Sequence, residues 1–208
     1  MLIKDRMTKD VTIVSPDTTV PEALNTMEEK GVRHLPVVDK DRLVGIVSLL
    51  DMVRATPSPA TKLPVKDIMT TKVISVEPET PIDEAAALMH ANKVGSLPVV
   101  QNGQVIGIVT ETNILEAVLD MFGVSRGGLR LTLELPDQHG ALVAATEMFR
   151  NFGVDVVSLT VLPSDAEKNV GQSVWRLQGC DNVDELLDFL KEKSYRVIHV
   201  SENDVCEV

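Results

Sequence analysis

The stretch Leu35-Pro36-Val37-Val38-Asp39-Lys40-Asp41-Arg42-Leu43-Val44-Gly45-Ile46-Val47-Ser48-Leu49-Leu50-Asp51 returns 62 positions later as Leu97-Pro98-Val99-Val100-Gln101-Asn102-Gly103-Gln104-Val105-Ile106-Gly107-Ile108-Val109-Thr110-Glu111-Thr112-Asn113. Working outward, residues 3–54 align with 65–116 without a gap. Met7-Thr8 falls on Met69-Thr70, Pro16 on Pro78, Glu22-Ala23 on Glu84-Ala85 and Met27 on Met89. Roughly a third of the aligned positions are identical, so the first half of the chain is a duplication.

Each copy carries the same run of signals. A short extended segment (11–14; 73–76) ends at Ser15-Pro16 or Glu77-Pro78. A helix is expected from Thr18 or Thr80 as N-cap, with Pro81 in the first helical position of the second copy. Its apolar residues, Val20, Ala23, Leu24 and Met27, or Ile82, Ala85, Ala86 and Met89, follow the spacing of one buried helical face. Two strands are predicted near 35–38 and 43–47, with Asn102-Gly103 marking a tight hairpin in the second copy. A second helix opens at Ser48 or Thr110. The order is β-α-β-β-α, twice, with a linker by composition at 55–61. The repeats are assigned to 1–60 and 61–122.

After a helix over 113–122, the stretch 123–128 reads as a linker. Leu129, Leu131, Leu133 and Leu135 alternate with polar residues, as in a half-buried strand. A helix over 139–152 closes at Gly153. Strands at 154–161 and 172–178 flank a polar turn at 163–171, and a helix at 183–193 leads to a strand at 195–200. This βαββαβ order over 129–208 is ferredoxin-like, and the fold class expected for the whole chain is α+β.

Bulk properties narrow the function. The net charge of −11 opposes non-specific binding to nucleic acid or anionic lipid, which needs clustered Lys and Arg. Residues 1–118 hold 12 basic and 16 acidic side chains, whereas 129–208 hold 7 and 14. The charged N-terminus does not read as a signal peptide, and no apolar run has spanning length. Cys180 and Cys206 form no disulfide framework. The expectation is a cytoplasmic protein without nucleic-acid or membrane partners.

The run from Met7-Thr8 through Pro16, Ala23, Met27, Leu35-Pro36-Val37-Val38-Asp39 and Gly45 to Asp51 resembles a CBS domain, and the second copy does so independently. The resemblance implies a CBS pair, or Bateman module, with two clefts that bind adenosine-containing ligands. The segment from Leu135 to Leu142, with Asp137-x-x-Gly140-x-Leu142, resembles an ACT domain. ACT domains are small regulatory units that pair sheet to sheet and bind amino acids at the first strand-to-helix turn. The combined architecture resembles the acetoin-utilisation protein AcuB family.

These resemblances imply ligand positions. In Gly45-x-x-Ser48-x-x-Asp51 and Gly107-x-x-Thr110-x-x-Asn113, the acidic or amide side chain would hold a ribose and the hydroxyl would approach phosphate. Spacing alone favours a helix cap; the resemblance favours the ligand role, and the two can coexist. Arg33 and His34, before Leu35-Pro36, would reach phosphate, or else are solvent-facing strand residues. Ile13 and Val37, with Ser75 and Val99, would frame adenine. The clefts are expected to be unequal, with Asp51, Arg33 and His34 together preferring a phosphorylated ligand. Asp137 and Gly140 are the ACT candidates, the alternative being a plain tight turn.

Catalytic patterns are weak. Gly123-x-Ser125-x-Gly127 follows a helix and precedes a strand, the reverse of a nucleophile elbow. His34, His90, His139 and His199 lack metal-ligand spacing. No cofactor is expected to be required and no metal site is expected. The leading expectation is an allosteric, non-enzymatic, homodimeric regulator. It would sense AMP, ADP, ATP or S-adenosylmethionine and act on a partner enzyme, the alternative being a ligand-free scaffold.

Overall fold

Thr19, not Thr18, starts the first helix. Its hydroxyl accepts from the Glu22 amide (3.4 Å), while the Glu22 carboxylate accepts from the Thr19 amide (2.9 Å), a reciprocal capping box. Thr18 is used one step earlier, where its hydroxyl accepts from the Ser15 amide, as Thr80 does from Glu77. In the second copy Pro81 therefore occupies the cap and Ile82 the first turn. The computed structural model describes residues 1–55, 63–162 and 170–203. The chain divides into two units, Met1–Ala117 and Val118–Val208.

In the first unit, α1 (Val20–Lys30), β1 (His34–Asp39), β2 (Arg42–Ser48) and α2 (Leu49–Ala55) form the first repeat. The second repeat has α3 (Ile82–Asn92), β3 (Ser96–Gln101), β4 (Gln104–Thr110) and α4 (Glu111–Met121). The predicted helical faces are the ones buried: Val20, Ala23 and Met27 on α1, and Ile82, Ala85 and Met89 on α3. Each strand pair is an antiparallel hairpin with a matching irregularity, after Val37 in one and after Val99 in the other. The hairpin turns need two left-handed residues, supplied by Lys40 and Asp41 or by Asn102 and Gly103. The expected strands at 11–14 and 73–76 are reduced to single parallel bridges, Val14 to Val37 and Val76 to Val99. Most of the expected linker at 55–61 lies outside the described residues.

The repeats exchange their leading arms. The amide of Ile3 donates to Thr80 and that of Lys4 to Pro78, placing the chain start on the second repeat. Reciprocally, Val65 donates to Thr18 and Lys66 to Pro16. Ile3 and Met7 belong to the core of the second repeat, and Val65, Ile68 and Met69 to that of the first. Four antiparallel bridges, Leu2 to Pro81, Thr8 to Ile108, Thr19 to Pro64 and Ile46 to Thr70, join the copies among the described residues. Neither repeat closes its core with its own residues alone.

The second unit holds β5 (Gly128–Pro136), α5 (Ala141–Asn151), β6 (Asp155–Val161), β7 (Val170–Gln178), α6 (Val183–Glu192) and β8 (Arg196–Asn203). Its sheet is antiparallel in the order β6-β7-β5-β8, with α5 and α6 packed on Leu129, Leu131, Leu133 and Leu135. The rings of Trp175 and Phe149 pack at a tilt of 57° with centroids 4.8 Å apart, and the indole N–H donates to Ser173 (2.8 Å). The α5 helix begins at Ala141 after left-handed Gly140, two residues later than expected.

The expected linker at 123–128 is built structure. Residues Val124–Arg126 form a 3-10 turn and Gly128 already pairs in β5. The carbonyl of Phe122 accepts from Arg176 Nε (3.1 Å) and Ser158 Oγ (2.9 Å), and that of Arg126 accepts from Gln178 (2.8 Å). Arg176 is nearly fully buried, and these carbonyls satisfy donors that burial would otherwise leave costly. The division between the units accordingly falls at 117/118, inside α4, and not at 122–129.

Candidate functional site

The glycine of each Gly-x-x-hydroxyl motif is explained by the exchanged arms. A Cβ on Gly107 would meet Met7 Sδ at 2.7 Å and the Thr8 carbonyl at 3.0 Å, and one on Gly45 would strike Met69. Gly107→Ala is expected to destabilise the first unit by about 1–3 kcal/mol through overpacking. The readout is a lower denaturant midpoint at unchanged slope. Gly95→Ala, whose nearest neighbours lie at 3.5 Å, should be tolerated. Equal midpoints for the two variants would show that arm packing does not impose the glycine.

Three residues on, each motif caps a helix. Asp51 Oδ2 accepts from the Ser48 amide (2.9 Å) and hydroxyl (2.6 Å), while the Ser48 hydroxyl accepts from the Asp51 amide (3.3 Å). Thr110 and Asn113 repeat the arrangement through Asn113 Oδ1, at 2.9, 2.9 and 3.5 Å. The cap reading of these pairs is thus realised in both repeats. Each motif residue has one terminal atom left over: Asp51 Oδ1 is an acceptor, and Asn113 Nδ2 is a donor. Neither has a partner among the described residues.

Two cavities of the first unit contain these atoms. One, of about 290 Å³, is lined by Ser48 and Asp51 together with Lys72, Lys93, Ser96 and His34. The other, of about 500 Å³, is lined by Thr110 and Asn113 together with Asp10, Arg33, Glu111 and His34. Every cleft therefore combines a motif from one repeat with walls from the other. Shifted by 62 positions, the lining residues correspond, but their charges do not. Asp10 stands where the other cleft has Lys72 and Gly31 where it has Lys93, while Glu111 is equivalent in the repeat to Leu49, which lines neither cleft. The smaller cleft holds two cations and one carboxylate; the larger holds one cation and two carboxylates. Ser96 adds a further asymmetry: it is 5% exposed, and its hydroxyl has no partner among the described residues. Such a group is costly unless something satisfies it.

The sequence expected Asp51, Arg33 and His34 in one site. The structure separates them, for Arg33 lines the Asn113 cleft. The reason is the crossing of the repeats, which brings the 8–12 and 31–34 segments to the motif of the other copy. Four further candidates line neither cavity. Val37 and Val99 are core residues, and Ile13 and Ser75 are exposed outside both clefts. Their places are taken by Val11 and Thr12, and by Val73 and Ile74. Sequence reasoning also missed Lys72, Lys93, Asp10 and Glu111. The signal that could have found them is the loss of repeat symmetry at these positions, where charge inverts within an otherwise faithful duplication.

In the second unit Asp137 and Gly140 do come together, at the β5-to-α5 turn. They line a cavity of about 660 Å³ completed by Val161 at the end of β6, the following Leu162, and Gln172 of β7. Gly140 is left-handed at φ 86°, a conformation that a side chain would strain.

The sequence profile of the CBS domain matches residues 3–58 and again 65–120, more than half of the chain. The chain belongs to the CBS-domain family. Its CBS pair is 46% identical over 110 residues to inosine-5′-monophosphate dehydrogenase of Methanocaldococcus jannaschii, covering 52% of this chain and 22% of that enzyme. Across that enzyme and two further curated relatives, the match takes in only 22%, 38% and 22% of their lengths. Among solved structures, CBSX2 in complex with AMP is 35% identical with a TM-score of 0.51, covering 57% of this chain and 96% of that one. The CBS pair of protein MJ0100, in complex with 5′-methylthioadenosine and S-adenosyl-L-methionine, is 30% identical with a TM-score of 0.53 (57% and 95%). A structure described as an acetoin utilization protein (AcuB) from Vibrio cholerae is 30% identical with a TM-score of 0.56 (61% and 97%).

Within the CBS pair, His34 occupies a particular place. It lines both clefts, and its β1 position pairs with Ser48 of β2. Burial pushes its pKa below the ordinary value. Asp51 and then Glu111 oppose that shift, and Arg33 adds to it. No helix among the described residues is long and apolar enough to cross a membrane.

Proposed function

We propose that the CBS pair senses a phosphorylated adenosine metabolite in the cleft of Asp51, Lys72, Lys93 and Ser96, and that the chain is a regulator and not a catalyst. The observation that carries this reading is the pairing, in one cavity, of a spare carboxylate oxygen with two lysines and an unsatisfied hydroxyl. Asp51 Oδ1 suits the vicinal hydroxyls of a ribose, and the lysines suit a phosphate. Solved relatives with AMP and with S-adenosyl-L-methionine support the ligand class. The Asn113 cleft, with its net acidic lining, is proposed for a ligand without a polyphosphate.

A thermal-shift panel tests the reading. AMP, ADP or ATP should raise the midpoint of the first unit in a concentration-dependent way, by mass action on the folded state. S-adenosylmethionine should do so less strongly if the lysines select for phosphate. A panel without any shift would leave the ligand-free scaffold as the better description, with the Ser48–Asp51 box serving only as a cap.

The second unit is proposed to be an ACT-type domain of ferredoxin-like topology, with a small ligand held at Asp137 and Gly140. Its β6-β7-β5-β8 strand order and the cavity at the β5-to-α5 turn support this. A homodimer is proposed from apolar side chains left in the open: Leu50 and Val53 on α2, Leu115 on α4, and Val161 and Ile198 in the second unit's sheet. Control of a partner enzyme, in acetoin utilisation or otherwise, follows only from the resemblance to AcuB. Mass measurement with and without AMP tests the dimer.

A further inference from the structure

A single imidazole forms part of the wall of both clefts, and among the described residues no other ionisable side chain lines both. On the smaller side His34 faces Asp51 of α2, with Lys72 and Lys93 in the same lining. On the larger side it faces Glu111 of α4, with its neighbour Arg33 and with Asp10. Across the partition stands Gly95, where a Cβ would lie 3.5 Å from both His34 Cε1 and Glu111 Oε2. The ring and the Glu111 carboxylate thus converge on one small gap that belongs to both cavities. At the equivalent position the fold carries Ser96, so an imidazole at 34 is not demanded by packing in this architecture.

We infer that His34 couples the two clefts: a phosphorylated ligand bound beside Lys72 and Lys93 is taken up together with a proton on His34, and the resulting imidazolium is read by Glu111 in the neighbouring cleft. The inference rests on the nucleotide reading of the smaller cleft. Its physical basis is that a half-buried imidazole is biased toward its neutral form by desolvation, and a nearby anion restores the charged form. The sign follows. In the free protein desolvation holds the His34 pKa below its ordinary value, and a phosphate in the cleft would raise it by opposite-charge attraction. Between those two values binding takes up a proton, so affinity rises as pH falls through that window and is flat on either side. The coupling is reciprocal: whatever in the larger cleft favours the imidazolium also favours the phosphate.

The test is calorimetric titration of the whole chain with AMP, in buffers of differing ionisation enthalpy, at several pH values below and above 6.5. The Lys72→Asp variant identifies the smaller cleft by loss of that binding. Phosphate itself titrates near pH 6, so the quantity read is the difference between the wild type and His34→Ser, with His34→Gln as a second neutral variant. The wild type should take up more protons per AMP than either variant. Glu111→Gln, in the other cleft, should move the wild-type pH dependence to lower pH and have no such effect in the His34→Ser background. Equal proton uptake in the wild type and both His34 variants would overturn the inference while leaving the nucleotide reading intact. An unmoved pH dependence in Glu111→Gln would likewise remove the coupling. Absence of saturable AMP binding in the wild type would overturn the nucleotide reading and this inference with it.

Discussion

Asp51→Asn is expected to weaken AMP binding by about tenfold or more while leaving the thermal midpoint of the first unit almost unchanged. The second repeat supplies the reason. Asn113 caps α4 through Oδ1 with the geometry that Asp51 uses on α2, so an amide at position 51 keeps both bonds to Ser48. What changes is the atom left for the cavity: a charged acceptor becomes a neutral donor. Hydrogen bonds to charged groups contribute about 1.5–3 kcal/mol, and ribose hydroxyls would lose an ionised acceptor. Asp51→Ala removes the cap as well, and should also lower stability by about 0.5–2 kcal/mol. The two variants together separate the roles. If Asp51→Asn binds AMP like the wild type, the carboxylate is a cap only. If both variants lose equal stability, the cap depends on charge in a way that Asn113 contradicts.

Residues that act locally were legible before the fold was known. The buried faces of α1 and α3 follow from apolar spacing, and Asn102-Gly103 gives the hairpin its turn. Thr19-x-x-Glu22 is equally legible as a capping box, and its partner three residues on sets Thr19 ahead of Thr18 as the cap. What could not be read from periodicity is the exchange of arms. Thr8 bridges to Ile108, a pairing across the length of the duplication. A sequence repeat invites each motif to be grouped with its own copy, and that grouping put Arg33 beside Asp51. The crossing puts Lys72 and Lys93 there instead. In the second unit the Asp137–Gly140 turn was legible because it is formed by contiguous residues, although Val161, Leu162 and Gln172 complete its cavity, whereas 123–128 read as linker because the side-chain bonds to Arg126 and Gly127 come from β7, distant in sequence.

The double variant Lys72→Asp/Lys93→Gly should abolish the phosphate preference of the smaller cleft and should not unfold it. Each replacement is the residue that the same fold already carries at the equivalent position, Asp10 and Gly31. Lys93 ends α3 in the left-handed conformation, φ 54°, where Gly31 ends α1 at φ 63°. A side chain there is strained by about 1 kcal/mol relative to glycine, so Lys93→Gly alone should raise stability. A residue kept against local preference and turned toward a cavity points to use of its charge. Losing both cations removes about 1.4 kcal/mol each, on the order of a hundredfold in affinity for AMP, and an aspartate at 72 adds repulsion. Uncharged adenosine, which makes no demand on the lysines, should bind the double variant as it binds the wild type. A double variant that keeps its AMP affinity would show that phosphate is held elsewhere. One that loses adenosine as well would mean that the lysines shape the cleft and do not merely charge it.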